Sequence, residues 1–276
     1  MSWLVCVSIL FCMAGDSHGY VLPAKQILGF MTRQFGSART LVVLQKTVIY
    51  DSSMEGGMRE LDETLYYQQP DQFRGEVSSP GGEQIRVVGS QGAISVTNGR
   101  IVAQTESTFD HFKDLILYRD QDLLLDQLHQ HNVNTSVVSL GRYKDRVAYV
   151  IGAEYPDESV PQVWIEKATF RPIRYILKGG GPHETGIEEV EYADYMRLDK
   201  DRWYPQQIAF YRNGELAKVY VIKTFKINPK LPDQLFDIAY LKTVYQPMVP
   251  AQVPPSPASD VDEVTETIRD FTRTFE

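Results

Sequence analysis

The chain reads as a mostly β protein (α+β) whose antiparallel sheet curls strongly toward a barrel and carries a helical insert. Three observations predict this. Residues 66–98, YYQQPDQFRGEVSSPGGEQIRVVGSQGAISVTN, alternate short β-branched and aromatic runs with Gly-rich turns, the texture of antiparallel strands in tight succession. The same texture returns over residues 146–227, on the far side of a stretch with helical periodicity. The resulting total of more than ten strands is too many to lie flat as one open sheet.

In chain order, the first element is an amphipathic helix over 23–36. Ile27, Leu28, Met31 and Phe35 recur at helical spacing, Pro23 stands at the front and Gly36 at the C-cap. The β-branched run TLVVLQKTVIY, 40–50, is a strand, and 58–68 returns after a turn at 51–57. Neither face of that return strand is purely apolar, which suits a sheet with one face in water or lining a cavity. Pro70 breaks the ladder, and short strands follow at 73–77, 84–88, 93–97 and 100–103. Their turns are Pro80-Gly81-Gly82, Ser90-Gln91-Gly92 and the hairpin signal Asn98-Gly99.

The period changes at Ser107. Phe109, Phe112, Leu115 and Ile116, then Leu124, Leu125 and Leu128, predict two helices over 108–118 and 121–131. Ser107 or Thr108 caps the first, and Asp120 opens the second. This insert, 108–131, would cover an open side of the sheet. Strands resume at 135–140 and 146–153 around a turn at 142–145, then at 162–166, 173–177, 187–195, 204–211 and 216–227, with Asn213-Gly214 joining the last two. Residues 235–238 close a domain spanning 20–246. A proline-rich linker over 247–258 leads to 259–276, where Val261, Val264, Ile268 and Phe271 are spaced as a docked helix, a partner-binding helix or a tail.

Composition narrows the function classes. A 276-residue chain with 43% apolar residues can bury a real core, and a formal charge of -8 argues against a nucleic-acid partner. The densest basic group, Arg142, Lys144 and Arg146, lies around a turn beside Asp145. Residues 1–19 carry no Lys or Arg, and their apolar run is too short to span a bilayer. They suit a signal peptide cut after Gly19, the alternative being a buried N-terminal strand. Both cysteines, Cys6 and Cys12, fall in that segment, so cleavage leaves no disulfide, thiol nucleophile or thiolate metal site. Lipidation of Cys12 as a membrane anchor is the other reading, against which Phe11 is bulky where such signals want a small residue.

No catalytic, cofactor or metal constellation is predicted. The histidines are His18, His111, His129, His131 and His183; His129 and His131 point apart on a helix, and no HExxH or other spaced ligand set exists. Glu184, Glu188, Glu189 and Glu191 are dense, but they read as a solvated strand face. Gly179-Gly180-Gly181 lacks the Lys-Ser/Thr of a phosphate loop and reads as a hairpin connection. Ser90 and Ser95 lack a nucleophile elbow. The 16 tyrosines and 12 phenylalanines, spread through the strands, either make a solid core or line a greasy cavity.

An N-terminal amphipathic helix, strands around YYQQPDQFRGEV, a Gly/Asn hairpin series and a helical insert followed by returning strands resemble the periplasmic outer-membrane lipoprotein-sorting carrier and its superfamily. The resemblance covers 23–238 and includes an aromatic strand, Pro70, two variable residues and Phe73. The phrase PQVWIEKATFRPIRYIL in the second half is similar too. The resemblance implies an unclosed, strongly curved antiparallel β-barrel with helices over its concave face, no enzyme activity, and carriage of a lipid, acyl chain or lipoprotein in the bacterial periplasm. In that family an arginine precedes the proline and helps tune cargo binding; here Gln69 holds its place.

Strand parity then nominates Leu65, Tyr67, Phe73, Ile85, Val87, Trp164 and Ile173 as cavity lining. Ile27, Met31, Phe112, Leu115 and Ile116 are nominated as helical cover. The alternative is an envelope scaffold with a solid core, binding a partner through a strand edge or the 261–271 helix.

Overall fold

The computed structural model describes residues 21–35, 38–51, 56–79, 81–104, 107–179, 186–200 and 202–248. The expected signal peptide, the linker beyond Met248 and the 259–276 helix or tail lie outside the described residues.

Helix α1 (Ala24–Gln34) comes first, its buried stripe being Ile27, Leu28 and Met31 as the spacing predicts. Six strands follow as a meander: β1 (Thr40–Tyr50), β2 (Met58–Gln68), β3 (Gln72–Ser79), β4 (Gly82–Gly89), β5 (Gly92–Thr97) and β6 (Arg100–Ala103). Asn98 (φ 49°) and Gly99 (φ 73°) make the left-handed turn that their hairpin requires. The insert is a 3-10 turn (Thr108–Lys113) running into α2 (Asp114–Leu117), followed by α3 (Gln121–Gln130). The single helix expected over 108–118 is split because Ser107 and Asp110 form a capping box closed by an i to i+3 bond, Asp110 N–H to the Ser107 carbonyl at 2.9 Å. Asp120 caps α3 as expected, accepting from the Asp122 and Leu123 N–H groups.

The second meander comprises β7 (Val138–Tyr143), β8 (Arg146–Ile151), β9 (Gln162–Glu166), β10 (Pro172–Lys178), β11 (Ile187–Arg197), β12 (Trp203–Arg212) and β13 (Glu215–Ile227). Strand β7 starts later than the expected 135, because the Asn134 side chain accepts from Ser136 N–H at 3.2 Å and its carbonyl from Val137 N–H at 3.0 Å, folding 134–137 into a turn. The expected closing segment at 235–238 instead leads into α4 (Ile238–Val244) and β14 (Gln246–Pro247). Asp237 caps α4 by accepting from Tyr240 N–H at 2.9 Å.

Together these strands form one strongly curved fourteen-stranded sheet that does not close, in the order β14-β6-β5-β4-β3-β2-β1-β13-β12-β11-β10-β9-β8-β7. Every pairing is antiparallel except β14 with β6. The two meanders meet at a seam where β1 pairs with β13 over nine residue pairs, from Leu41↔Ile227 to Ile49↔Lys218. The sheet's open edges are β6 with β14 on one side and β7 on the other. The insert leaves after one edge strand and returns before the other, and its 3-10 turn packs against β10 and β11.

Candidate functional site

The insert and α1 cover a concave apolar floor. Leu65 and Tyr67 of β2 and Phe73 of β3 belong to this floor, joined by Val43, Tyr175, Tyr192, Tyr204, Phe210 and Tyr220. From the cover side Ile27, Leu28, Met31, Phe112, Leu115 and Ile116 close onto it, each 2% exposed or less. Phe112 is the keystone: its ring meets Phe73, Phe210 and Tyr220 edge-on, with centroids 5.4–5.8 Å away. All five nominated cover residues and three of the seven nominated lining residues are thus brought together.

The other four lie on the opposite face. Registers Tyr67↔Phe73 and Phe73↔Val88 carry the inward face of β4 through Val88, so Ile85 and Val87 point outward and pack with Ile94, Val96, Ile238 and Leu241 beneath α4. Tyr175↔Val163 places Val163 inward, so Trp164 points outward, where it packs with Ile173, Ala148 and Val150 under Tyr155. The β9–β10 register shifts between Pro172 and Arg174, which hides this parity from a count along the strand. The glutamates differ from a solvated face as well. Glu188 is buried and accepts from Arg212, while Glu189 takes both Nε and Nη2 of Arg174 at 2.5 and 2.8 Å.

Four polar contacts pin the cover to the sheet. Tyr192 donates to the Phe112 carbonyl at 2.8 Å, and Gln69 Nε2 donates to the Leu117 carbonyl at 2.6 Å. Arg86 of β4 pairs with Asp110, and the Tyr175 hydroxyl lies 3.0 Å from His131 Nδ1. Gln69 therefore latches the cover from the place that the resemblance gives to an arginine. Arg119, just past α2, stacks over Phe35 of the α1 end at 4.8 Å; burial pushes its guanidinium down to about 9, leaving it cationic at neutral pH.

One end of the interior is polar. Gln45 and Thr47 donate to the Glu63 carboxylate at 3.0 and 2.5 Å. The Lys218 ammonium sits 2.9 Å from the Tyr220 hydroxyl and over the Phe210 ring at 4.3 Å. Burial lowers the Lys218 pKa, against the opposing pull of Glu63, Asp110 and Glu188. Clefts open along both sides of the cover. One of about 1080 Å³ is lined by Phe109, Leu216, Arg212 and Lys218, the other, of about 940 Å³, by Val88, Ala93, Tyr118 and Leu123.

Sequence spacing missed one group. His111, Asp114 and His131 bring their ligand atoms within 4.8 Å of one another, the one such set of three among the described residues. The two rings lie 3.7 Å apart between centroids. Burial, with His111 alongside, pushes the His131 imidazole down to about 4, so it is neutral at neutral pH. The pair weighed from sequence does not form: His129 instead meets the Thr135 hydroxyl at 2.5 Å. His111 and His131 stand on different elements, and only the folding of α3 back toward the 3-10 turn unites them.

The sequence matches no protein-family model and no curated protein. Among solved structures, a putative outer-membrane lipoprotein-sorting protein domain from Vibrio parahaemolyticus aligns with 79% of this chain and 97% of its own, at 8% identity and TM-score 0.50. A LolA superfamily protein from Nitrosomonas europaea aligns over 80% and 100%, at 12% identity and TM-score 0.52. A DUF1329 family protein from Desulfovibrio piger aligns over 79% and 98%, at 11% identity and TM-score 0.51. The chain shares its fold with these three structures.

Proposed function

We propose that the protein binds an acyl chain, as a free lipid or on a lipid-modified protein, beneath the helical cover in the bacterial periplasm, without catalysis. The observation that carries this reading is the cover itself. A short two-part segment seals a large apolar floor, is pinned by a few polar contacts, and has open clefts along both sides. Each buried methylene would contribute about 0.8 kcal/mol, enough for a long chain to bind without any catalytic group. The Lys218 and Arg212 end would face a polar headgroup. Leu65, Tyr67 and Phe73 with Ile27, Met31, Phe112, Leu115 and Ile116 would contact the chain; Ile85, Val87, Trp164 and Ile173 would not. The reading of residues 1–19 as a signal peptide cut after Gly19 goes with this location, with anchoring through Cys12 as the alternative.

The packing of Phe112 against three aromatic rings supports a second reading, a scaffold whose interior stays filled and which meets an envelope partner through 261–271. Native mass spectrometry of protein from the periplasmic fraction separates the two. A carrier shows an extra mass that is lost on denaturation. Its Phe112→Ala variant, though destabilised by about 3–5 kcal/mol, takes up a fluorescent fatty acid more readily than the wild type. A clean apo mass, with no uptake by either protein, overturns the carrier and leaves the scaffold.

A further inference from the structure

We propose that His111, Asp114 and His131 form a binding site for a zinc-class divalent ion that braces the two halves of the cover. Asp114 is 1% exposed, and its two oxygens have different surroundings. Oδ1 takes the Lys113 ammonium at 3.2 Å, while Oδ2 has no hydrogen-bond donor and is aimed between the two imidazoles, 3.6 Å from Nδ1 of each. That separation is too long for a hydrogen bond. It is close to the edge of a zinc tetrahedron, about 3.4 Å for ligand bonds of about 2.0–2.2 Å. Small rotations about the side-chain torsions would bring the two nitrogens and the oxygen onto one ion. The Tyr175 hydroxyl borders the group, 3.0 Å from His131 Nδ1.

The donor set selects the metal. Two imidazole nitrogens and one carboxylate suit zinc, cobalt or nickel, and do not suit magnesium or calcium, which take oxygen ligands. Lys113 does not bar the site. It engages the oxygen that the ion would not use, and sites made of three neutral imidazoles hold zinc with no protein charge at all. The ion would tie the 3-10 turn and α2 to the end of α3. Those two parts of the cover are otherwise joined by their own packing and by the short 118–120 connection, of which only Asp120 is exposed.

The test uses the full chain stripped with a chelator and titrated with zinc against a chromophoric competitor. The expected result is one zinc per chain, bound on the order of 100-fold more tightly than by His111→Ala or His131→Ala, with His129→Ala unchanged. Where the alanine variants do not fold, imidazole nitrogen NMR of the wild type decides. Zinc should shift the His111 and His131 resonances and leave His129 in place. Equal affinity in wild type and variants, or unmoved His111 and His131 resonances under saturating zinc, overturns the site.

Discussion

Tyr67, Tyr175, Tyr192, Tyr204 and Tyr220 turn their phenols into the covered interior, where each side chain is 5% exposed or less. Their hydroxyls find partners there, Tyr67 and Tyr204 meeting each other at 2.9 Å. Burial raises the pKa of all five, most of them well above the usual 10.0. The folded state thus keeps five protons that the unfolded chain gives up near pH 10, so these groups contribute stability that is present below pH 10 and lost as pH rises further. Alkaline titration should show them silent until the fold melts, then releasing tyrosinate absorbance in one step together with the near-ultraviolet circular dichroism. A gradual titration of all 16 tyrosines with the fold intact would contradict this. Single residues also mark what a sequence can announce. Asn98-Gly99 and Asn213-Gly214 declare their turns, whereas the Lys144-Asp145 turn, with φ of 45° and 65°, carries no glycine and shows in the sequence only as part of a turn over 142–145.

At the scale of the element, the cover is held more by its edges than by its own length. Its helical segments are too short to persist alone, so packing and the latches from Gln69 and Tyr192 fix them. Gln69→Ala or Tyr192→Phe should each remove about 1 kcal/mol of that fixation. Amide exchange over 107–117 should then quicken roughly fivefold while the β11–β13 strands keep their protection, since the openings differ in extent. Uniform acceleration across the sheet, or none in the cover, would show that the latches do not govern it. The cover's apolar face was legible, because Phe112, Leu115 and Ile116 recur with a helical period. Its 3-10 start was not, since that depends on the capping box and on Arg86 arriving from a distant strand. Strand lining was half legible for a related reason. Parity carries correctly from Leu65 to Tyr67, but the phase must be set afresh after every turn, and one residue's difference put Val87 and Trp164 on the outer face.

For the molecule as a whole, the meander texture was legible and the seam was not. Nothing local in β1 or β13 says that Val43 will sit opposite Phe225; that follows only from closing the two meanders into one sheet. The seam and the cover join the same two halves at different places. A single cut engineered into the 118–120 connection, at the exposed Asp120, should therefore leave both pieces together. They should co-elute in size-exclusion chromatography, held by the nine-pair β1–β13 ladder and the shared core. Separation of the pieces would mean that the connection, and not the seam, holds the halves. The seam also has a consequence in time. Strand β1 (Thr40–Tyr50) is synthesised long before its partner β13 (Glu215–Ile227). A nascent chain therefore carries a bare, β-branched edge until β13 has emerged, a pairing of high contact order that folds late and invites a holdase to shield it in the interval.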